Sequence, residues 1–314
     1  MMTMVSVNCF VMLTGYFQVK SQFRLYKLIA LWLEVVFYSL SIRIIFILIG
    51  IEPFSIKSLI SCLMPVFTGR YWFVTIYFGL YMLSPFLNVA IHAMDRQQHA
   101  ILNVVLILLF SVWISVHPGI AGMNSGRGWG LPWFIVLYLL AAWIRLYYKP
   151  SGRIIRNSIL FIVISLFTGL VYGLLGNKVP IVQTIVANWY KYDSVPALLL
   201  TLLLFSIFTM LNIKSDTRSI LSGFAMSTFG VYLIHAHADF SPWLWEFVDL
   251  PSKVYHPVFP LIHLTVVCLI FVVCSMIEIL RRNTIGRIEN SEAIIKICDG
   301  IASDMLKYFN RSEK

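Results

Sequence analysis

The chain has 314 residues, a formal net charge of +10, 59 % hydrophobic residues and only 12 % charged ones, with a mean hydropathy of +0.83. Soluble domains average about 45–50 % apolar and 25 % charged residues, so this composition excludes a water-soluble globule. Apolar runs of helix length without two-residue alternation also exclude a β-barrel, which leaves an all-α, polytopic transmembrane helical bundle.

Nine apolar blocks predict nine spans, at roughly 4–18, 28–50, 71–91, 100–117, 130–148, 154–176, 195–213, 220–237 and 257–280. One set of gaps holds Lys20, Arg24 and Lys27, then Arg96, then Arg145, Lys149, Arg153 and Arg156, then Lys214 and Arg218, then Arg281, Arg282 and Arg287. The alternate gaps hold only Lys57, Arg70, Arg127, Lys178, Lys191 and Lys253. By the positive-inside rule the first set is cytoplasmic, so the C-terminus is expected inside and the N-terminus outside. The positive charge is then mostly topology; membrane lipid is an expected partner and nucleic acid is not.

The first block, Val5 to Phe17, has no basic flank and no small-residue cleavage site, so it makes a poor signal peptide. The count implies a tenth span ahead of Met1, entering from the cytoplasm. No polar stretch is long enough to fold alone, which gives one membrane domain, 1–287, and a tail, 288–314. In that tail Ile294, Cys298, Ile301, Met305 and Phe309 recur at three- and four-residue steps, the pattern of an amphipathic surface helix.

The loop from Pro118 to Gly130 is rich in glycine but lacks a Walker lysine and a preceding strand, so it is an outer loop and not a nucleotide cradle. Trp189, Tyr190, Tyr192, Trp243 and Trp245 sit in the longest outer gaps, where aromatic rings anchor at headgroup level or stack on a sugar. Gly169 and Gly173 form a GxxxG for close helix packing. The five cysteines have neither a CxxC pair nor metal spacing, so no metal site is expected.

Ionisable residues inside spans point to function because an Arg at mid-membrane costs about 2.5–3.5 kcal/mol even on insertion scales. Arg43 lies about 10 Å from the outer end of its span, which leaves two readings, a polar cavity or outward snorkelling. Glu34 is nine residues away, on nearly the opposite face, and is not its partner. Glu278 has Arg281 and Arg282 at i+3 and i+4 for local pairing. Of seven histidines, His117, His235, His237, His256 and His263 map to the outer half or outer ends of spans, as interface residues or as a base. His235 and Asp239 are four apart, so a helix continuing past His235 would let the carboxylate orient the imidazole.

Two stretches carry a resemblance. Arg70-Tyr-Trp-Phe, running on to Leu80-Tyr-Met-Leu-Ser-Pro85 and Asn88, is similar to the YWF...LYLLSP segment of the membrane acyltransferase 3 family, and Phe229-Gly-Val-Tyr-Leu-Ile-His235 resembles its FGIYLIH signature. Phe10 to Phe17 is similar to its FFMLSGYF, with Thr14 for the usual Ser, and Arg24, Leu25 and Lys27 resemble the basic run that follows.

The resemblance implies a ten-span inner-membrane O-acetyltransferase of polysaccharides. Such an enzyme moves an acyl group, commonly acetyl, from acyl-CoA to a hydroxyl of an envelope or capsular glycan or its lipid-linked precursor, with no bound cofactor. In that family an Arg and the His regarded as the base lie on the first span, ahead of Met1 here. His235 with Asp239 is the candidate within this chain. For such a reaction the inner basic cluster of Lys20, Arg24 and Lys27 is expected to hold the CoA phosphates, and Tyr71, Trp72 and Tyr81 to line the acceptor path with Arg43 as an electrostatic contributor. A transporter of glycan precursors and a non-catalytic remnant stay open as alternatives.

Overall fold

The computed structural model describes residues 2–116, 125–149, 151–152, 156, 159–161, 163–164, 191–211, 215–253, 256, 258–289, 291–292, 294–298 and 300–301. Among them there are helices and no strands. The helices are α1 (Met2–Gln18), α2 (Leu25–Leu48), α3 (Ile56–Leu63), α4 (Trp72–Ala93) and α5 (Arg96–Ile107). After α5 comes a π-helical turn, Leu108–Val112, leading into α6 (Trp113–Val116). Then follow α7 (Leu131–Tyr147), α8 (Val195–Met210), α9 (Ser215–His235), α10 (Phe240–Val248), α11 (Phe259–Asn283) and α12 (Gly286–Glu289).

Four stretches are long and apolar enough to cross a membrane, namely Leu25–Leu48, Trp72–Ala93, Arg96–Ser115 and Phe259–Asn283; Leu131–Tyr147, Val195–Met210 and Leu221–His235 are shorter apolar helices. The predicted sixth span, its GxxxG, Trp189 and Tyr190 lie largely or wholly outside the described residues, as do His117 and the tail beyond Ile301. Two helices fall in gaps with no predicted element, α3 and α10. Ser55 starts α3 by accepting from the Ser58 N–H at 3.4 Å.

The chain forms two compact units. Unit 1 comprises residues 1–23 and 76–212. Within it α1 packs on α7 and α8, and α7 also on α5. Gly15 makes the first contact possible, because a Cβ there would lie 2.4 Å from the Tyr138 carbonyl oxygen. Asn8 ties the three helices together: its Nδ2 donates to the Tyr192 carbonyl and Thr201 Oγ1, and Trp133 Nε1 donates to its Oδ1. Pro85 lies inside α4 and cannot donate to the carbonyl four residues back. Ser84 Oγ donates to that Tyr81 carbonyl instead, at 2.7 Å, which gives the Leu-Ser-Pro motif a mechanical reason. The π turn inserts one residue, and beyond it Ser115 Oγ accepts from the backbone N–H of Val195 at the start of α8. Just before α8, buried Asp193 accepts from Ser125 Oγ, and burial pushes its carboxyl above the usual range.

Unit 2 comprises residues 24–75 and 213–314, so α4 begins in this unit and continues into the other. Here α9 packs on α11, α10 and α2, and α12 packs on α11 and α2. At one end Phe46 of α2 meets Phe240 and Trp243 of α10 edge-on, with ring centroids 6.2 and 6.0 Å apart.

Candidate functional site

Unit 2 carries two polar clusters, one toward each end of α2. The first surrounds Arg43, which is 6 % exposed. Its Nη1 donates to Glu52 Oε2 at 2.8 Å and lies 3.2 Å from Asp239 Oδ1, and its Nη2 donates to the Pro53 carbonyl. Arg70 reaches the other Asp239 oxygen at 3.5 Å. Two acids thus neutralise Arg43 inside the unit, and a second guanidinium, that of Arg70, shares Asp239 with it. Glu52, nine residues on in the turn after α2, and Arg70, a second cation on Asp239, were not singled out by the sequence, because only the fold turns them toward this cluster.

Asp239 is thus not the partner of His235, and the reason is local. Helix α9 ends at His235, two residues short of the predicted span end, and the following turn carries Asp239 to the arginines. His237 lies 3.9 Å from the carboxylate instead. Its Nδ1 accepts from the Asp239 N–H and its Nε2 donates to the Ser39 carbonyl, so both ring nitrogens are held by backbone. Burial holds this imidazole down at about 4, against the opposite pull of Asp239. His237 is a strut, with no lone pair for catalysis.

His235 is arranged differently. Its Nδ1 lies 2.7 Å from the Val231 carbonyl one turn back. A carbonyl only accepts, so Nδ1 carries the proton and Nε2 presents its lone pair, the tautomer a general base needs. The orienting group is a backbone carbonyl where sequence reasoning expected a carboxylate.

Of the residues expected on the acceptor side, Tyr71 joins the first cluster. Its hydroxyl donates to the Leu233 carbonyl at 2.9 Å and its ring stands edge-on to His237. Trp72 packs edge-on against Phe73. Tyr81 belongs to unit 1, where its ring lies 5.2 Å from Phe23.

The second cluster is built on Glu278, which is 1 % exposed. Arg281 grips it with two bonds, Nε to Oε2 at 2.8 Å and Nη2 to Oε1 at 2.9 Å, and Tyr38 Oη donates to Oε2 at 2.6 Å. Arg281 also lies 3.2 Å from Glu34. The i+3 pairing expected for Glu278 holds, while Arg282 turns toward the Met226 sulfur. Glu34, Glu278, Arg281 and Arg282 line a cavity of about 860 Å³ between α2, α9, α11 and α12. Its exposed side carries Lys27 and Arg287, with Arg282 half-buried beside them. Of the three basic residues expected to act together, only Lys27 lines this cavity; Arg24 is exposed at the start of α2 and Lys20 belongs to unit 1. Among the described residues no group of three or more His, Cys, Asp or Glu is placed to hold a metal ion.

Apolar helices of membrane-crossing length, with buried charge clusters and a basic-rimmed cavity, define a multi-pass membrane protein built for polar chemistry. The chain belongs to the acyltransferase 3 family: the family's acyltransferase domain matches residues 1–279. It is accordingly an acyltransferase. No curated protein and no solved structure matches it.

Proposed function

We propose that the protein transfers an acyl group, in the first instance acetyl, from a cytoplasmic acyl-CoA to a hydroxyl of a bacterial cell-envelope or capsular glycan or its lipid-linked precursor. The observation that carries this reading is the cavity in unit 2 with Lys27, Arg282 and Arg287 at its open side, a setting for phosphates. By the positive-inside rule that end faces the cytoplasm of the inner membrane, where acyl-CoA is.

His235 lies six residues past Phe229, a cavity residue, or about 9 Å along α9 at 1.5 Å per residue. An extended pantetheine arm spans that rise. In this mechanism Nε2 of His235 takes the hydroxyl proton as the oxygen attacks the thioester carbonyl. The tetrahedral intermediate collapses with cleavage of the carbon–sulfur bond, and the imidazolium returns the proton to the departing thiolate. Ester and free CoA leave, and the histidine is regenerated.

The test is incorporation of label from acetyl-CoA into isolated envelope glycan by membranes containing the full chain. Label in ester linkage, lost on mild base treatment, is the expected result. Movement of glycan precursor across the membrane without acylation would make the protein a carrier, and no incorporation from any acyl-CoA would overturn the reading.

A further inference from the structure

A helix leaves its last carbonyls without partners from its own backbone, and α9 ends at His235 with Ala236 and His237 next, so no glycine closes it. Two of these carbonyls are met by the following turn: the Ala236 N–H donates to Tyr232 at 3.0 Å and the His237 N–H to Ile234 at 3.2 Å. The carbonyl between them belongs to buried Leu233, and it accepts from the hydroxyl of Tyr71, itself buried, at 2.9 Å.

The Tyr71 ring makes a second approach to the same turn. It lies 6.0 Å from the ring of Tyr232, which stands edge-on to the His235 imidazole at 6.2 Å. The neighbours of Tyr71 reach the same stretch: Phe73 meets Tyr232 edge-on at 5.8 Å, and Arg70 lies 3.5 Å from Asp239, four residues past His235. The segment from Arg70 to Phe73 and the segment from Phe229 to His235, far apart in sequence, therefore form one assembly, in which the first braces the second before and after His235.

The last residue of a helix is where helices fray, yet a base must keep its lone pair pointed one way. The Val231 carbonyl sets the tautomer of His235, but it fixes Nε2 in space only as far as the final turn is itself fixed. Tyr71 fixes that turn from outside, by a bond to the backbone two residues before the imidazole and a ring contact three residues before it. Its own proton is committed to a buried carbonyl, which sets it apart from a group that acts on substrate. On the reading of His235 as the base, we infer that Tyr71 is its positioning residue: the Tyr71 hydroxyl holds the end of α9 so that Nε2 meets the acceptor hydroxyl, and Tyr71 affects the rate only through His235.

The experiment measures kcat and KM for acetyl-CoA and for envelope glycan, per folded molecule, in membranes containing the full chain as Tyr71→Phe, His235→Gln and the double variant. Tyr138→Phe is the control, since it removes a buried hydroxyl that donates to Asn88 in the other unit. Tyr71→Phe keeps the ring and loses the bond, and is expected to lower kcat by about tenfold with both KM values within about twofold, while Tyr138→Phe keeps its kcat. In the His235→Gln background Tyr71→Phe should remove nothing further, as expected of two residues that act as a unit. Full turnover in Tyr71→Phe overturns the inference while a slow His235→Gln leaves the base reading standing. An equal loss with and without His235, or a rise in KM at unchanged kcat, also overturns it, by giving Tyr71 a general structural role or a place in substrate binding. Undiminished transfer in His235→Gln overturns the base reading and the inference with it. Should Tyr71→Phe fail to fold, Phe73→Leu, which withdraws the other ring from Tyr232, is expected to show the same fall in kcat and the same dependence on His235, and the same outcomes decide.

Discussion

Gly230 and Glu278 share one space: a Cβ on residue 230 would lie 2.5 Å from the Glu278 carboxylate. The glycine of the Phe229-Gly-Val-Tyr-Leu-Ile-His235 motif is therefore what admits a buried acid between α9 and α11. Gly230→Ala should destabilise the protein by about 1–3 kcal/mol through overpacking. Thermal unfolding in detergent checks this. Adding Glu278→Ala to Gly230→Ala should cost less than the sum of the two single changes, as expected of side chains in contact.

Arg43 holds Glu52, the Pro53 carbonyl and Asp239 together. Arg43→Leu should leave membrane insertion intact and lower stability by about 3 kcal/mol, because a buried acid loses a partner. Acylation should fall with it. Turnover and stability both unchanged at equal expression would remove Arg43 from the working part of unit 2.

His235→Gln should reduce acyl transfer by about 10²–10⁴-fold, the usual size of a general-base contribution, while leaving CoA binding within error. Glutamine retains a polar side chain at the helix end, so thermal stability serves as the control. Undiminished transfer would exclude His235 as the base.

His237 makes a prediction in pH. Its folded-state value, about 4, lies below the 6.5 of a free imidazole, so between these values the unfolded chain binds more protons. The contribution of this group to stability is complete above about pH 6.5 and is lost as pH falls toward 4. Melting temperatures measured from pH 7.5 to 4 should show the decline, and His237→Asn should flatten it.

The long apolar helices were legible because lipid exposure is a matter of composition, which a linear reading captures. Helices α3 and α10 were not, since eight- and nine-residue segments are far too short to span a membrane and a reading built on span-length apolar runs passes over them. Arg43 stood out through the cost of burying a guanidinium, yet its acid partners did not: Glu52 is close in sequence but lies past the helix end, where spacing rules fail, and Asp239 comes from a distant part of the chain. The basic rim showed the same problem in reverse: Lys20, Arg24 and Lys27 are neighbours in sequence, while the cavity takes Lys27 with Arg282 and Arg287 from the far end of the chain. His235 was read with the wrong orienting group, because a backbone carbonyl leaves no mark on a sequence.

The π turn at Leu108–Val112 acts as a phase shifter. One inserted residue rotates everything after it by about 100° relative to an uninterrupted helix. That rotation aims Ser115 at the first backbone N–H of α8. Deleting a single residue there would restore ordinary helical winding and turn Ser115 away, so this stretch tolerates changes of side chain far better than changes of length.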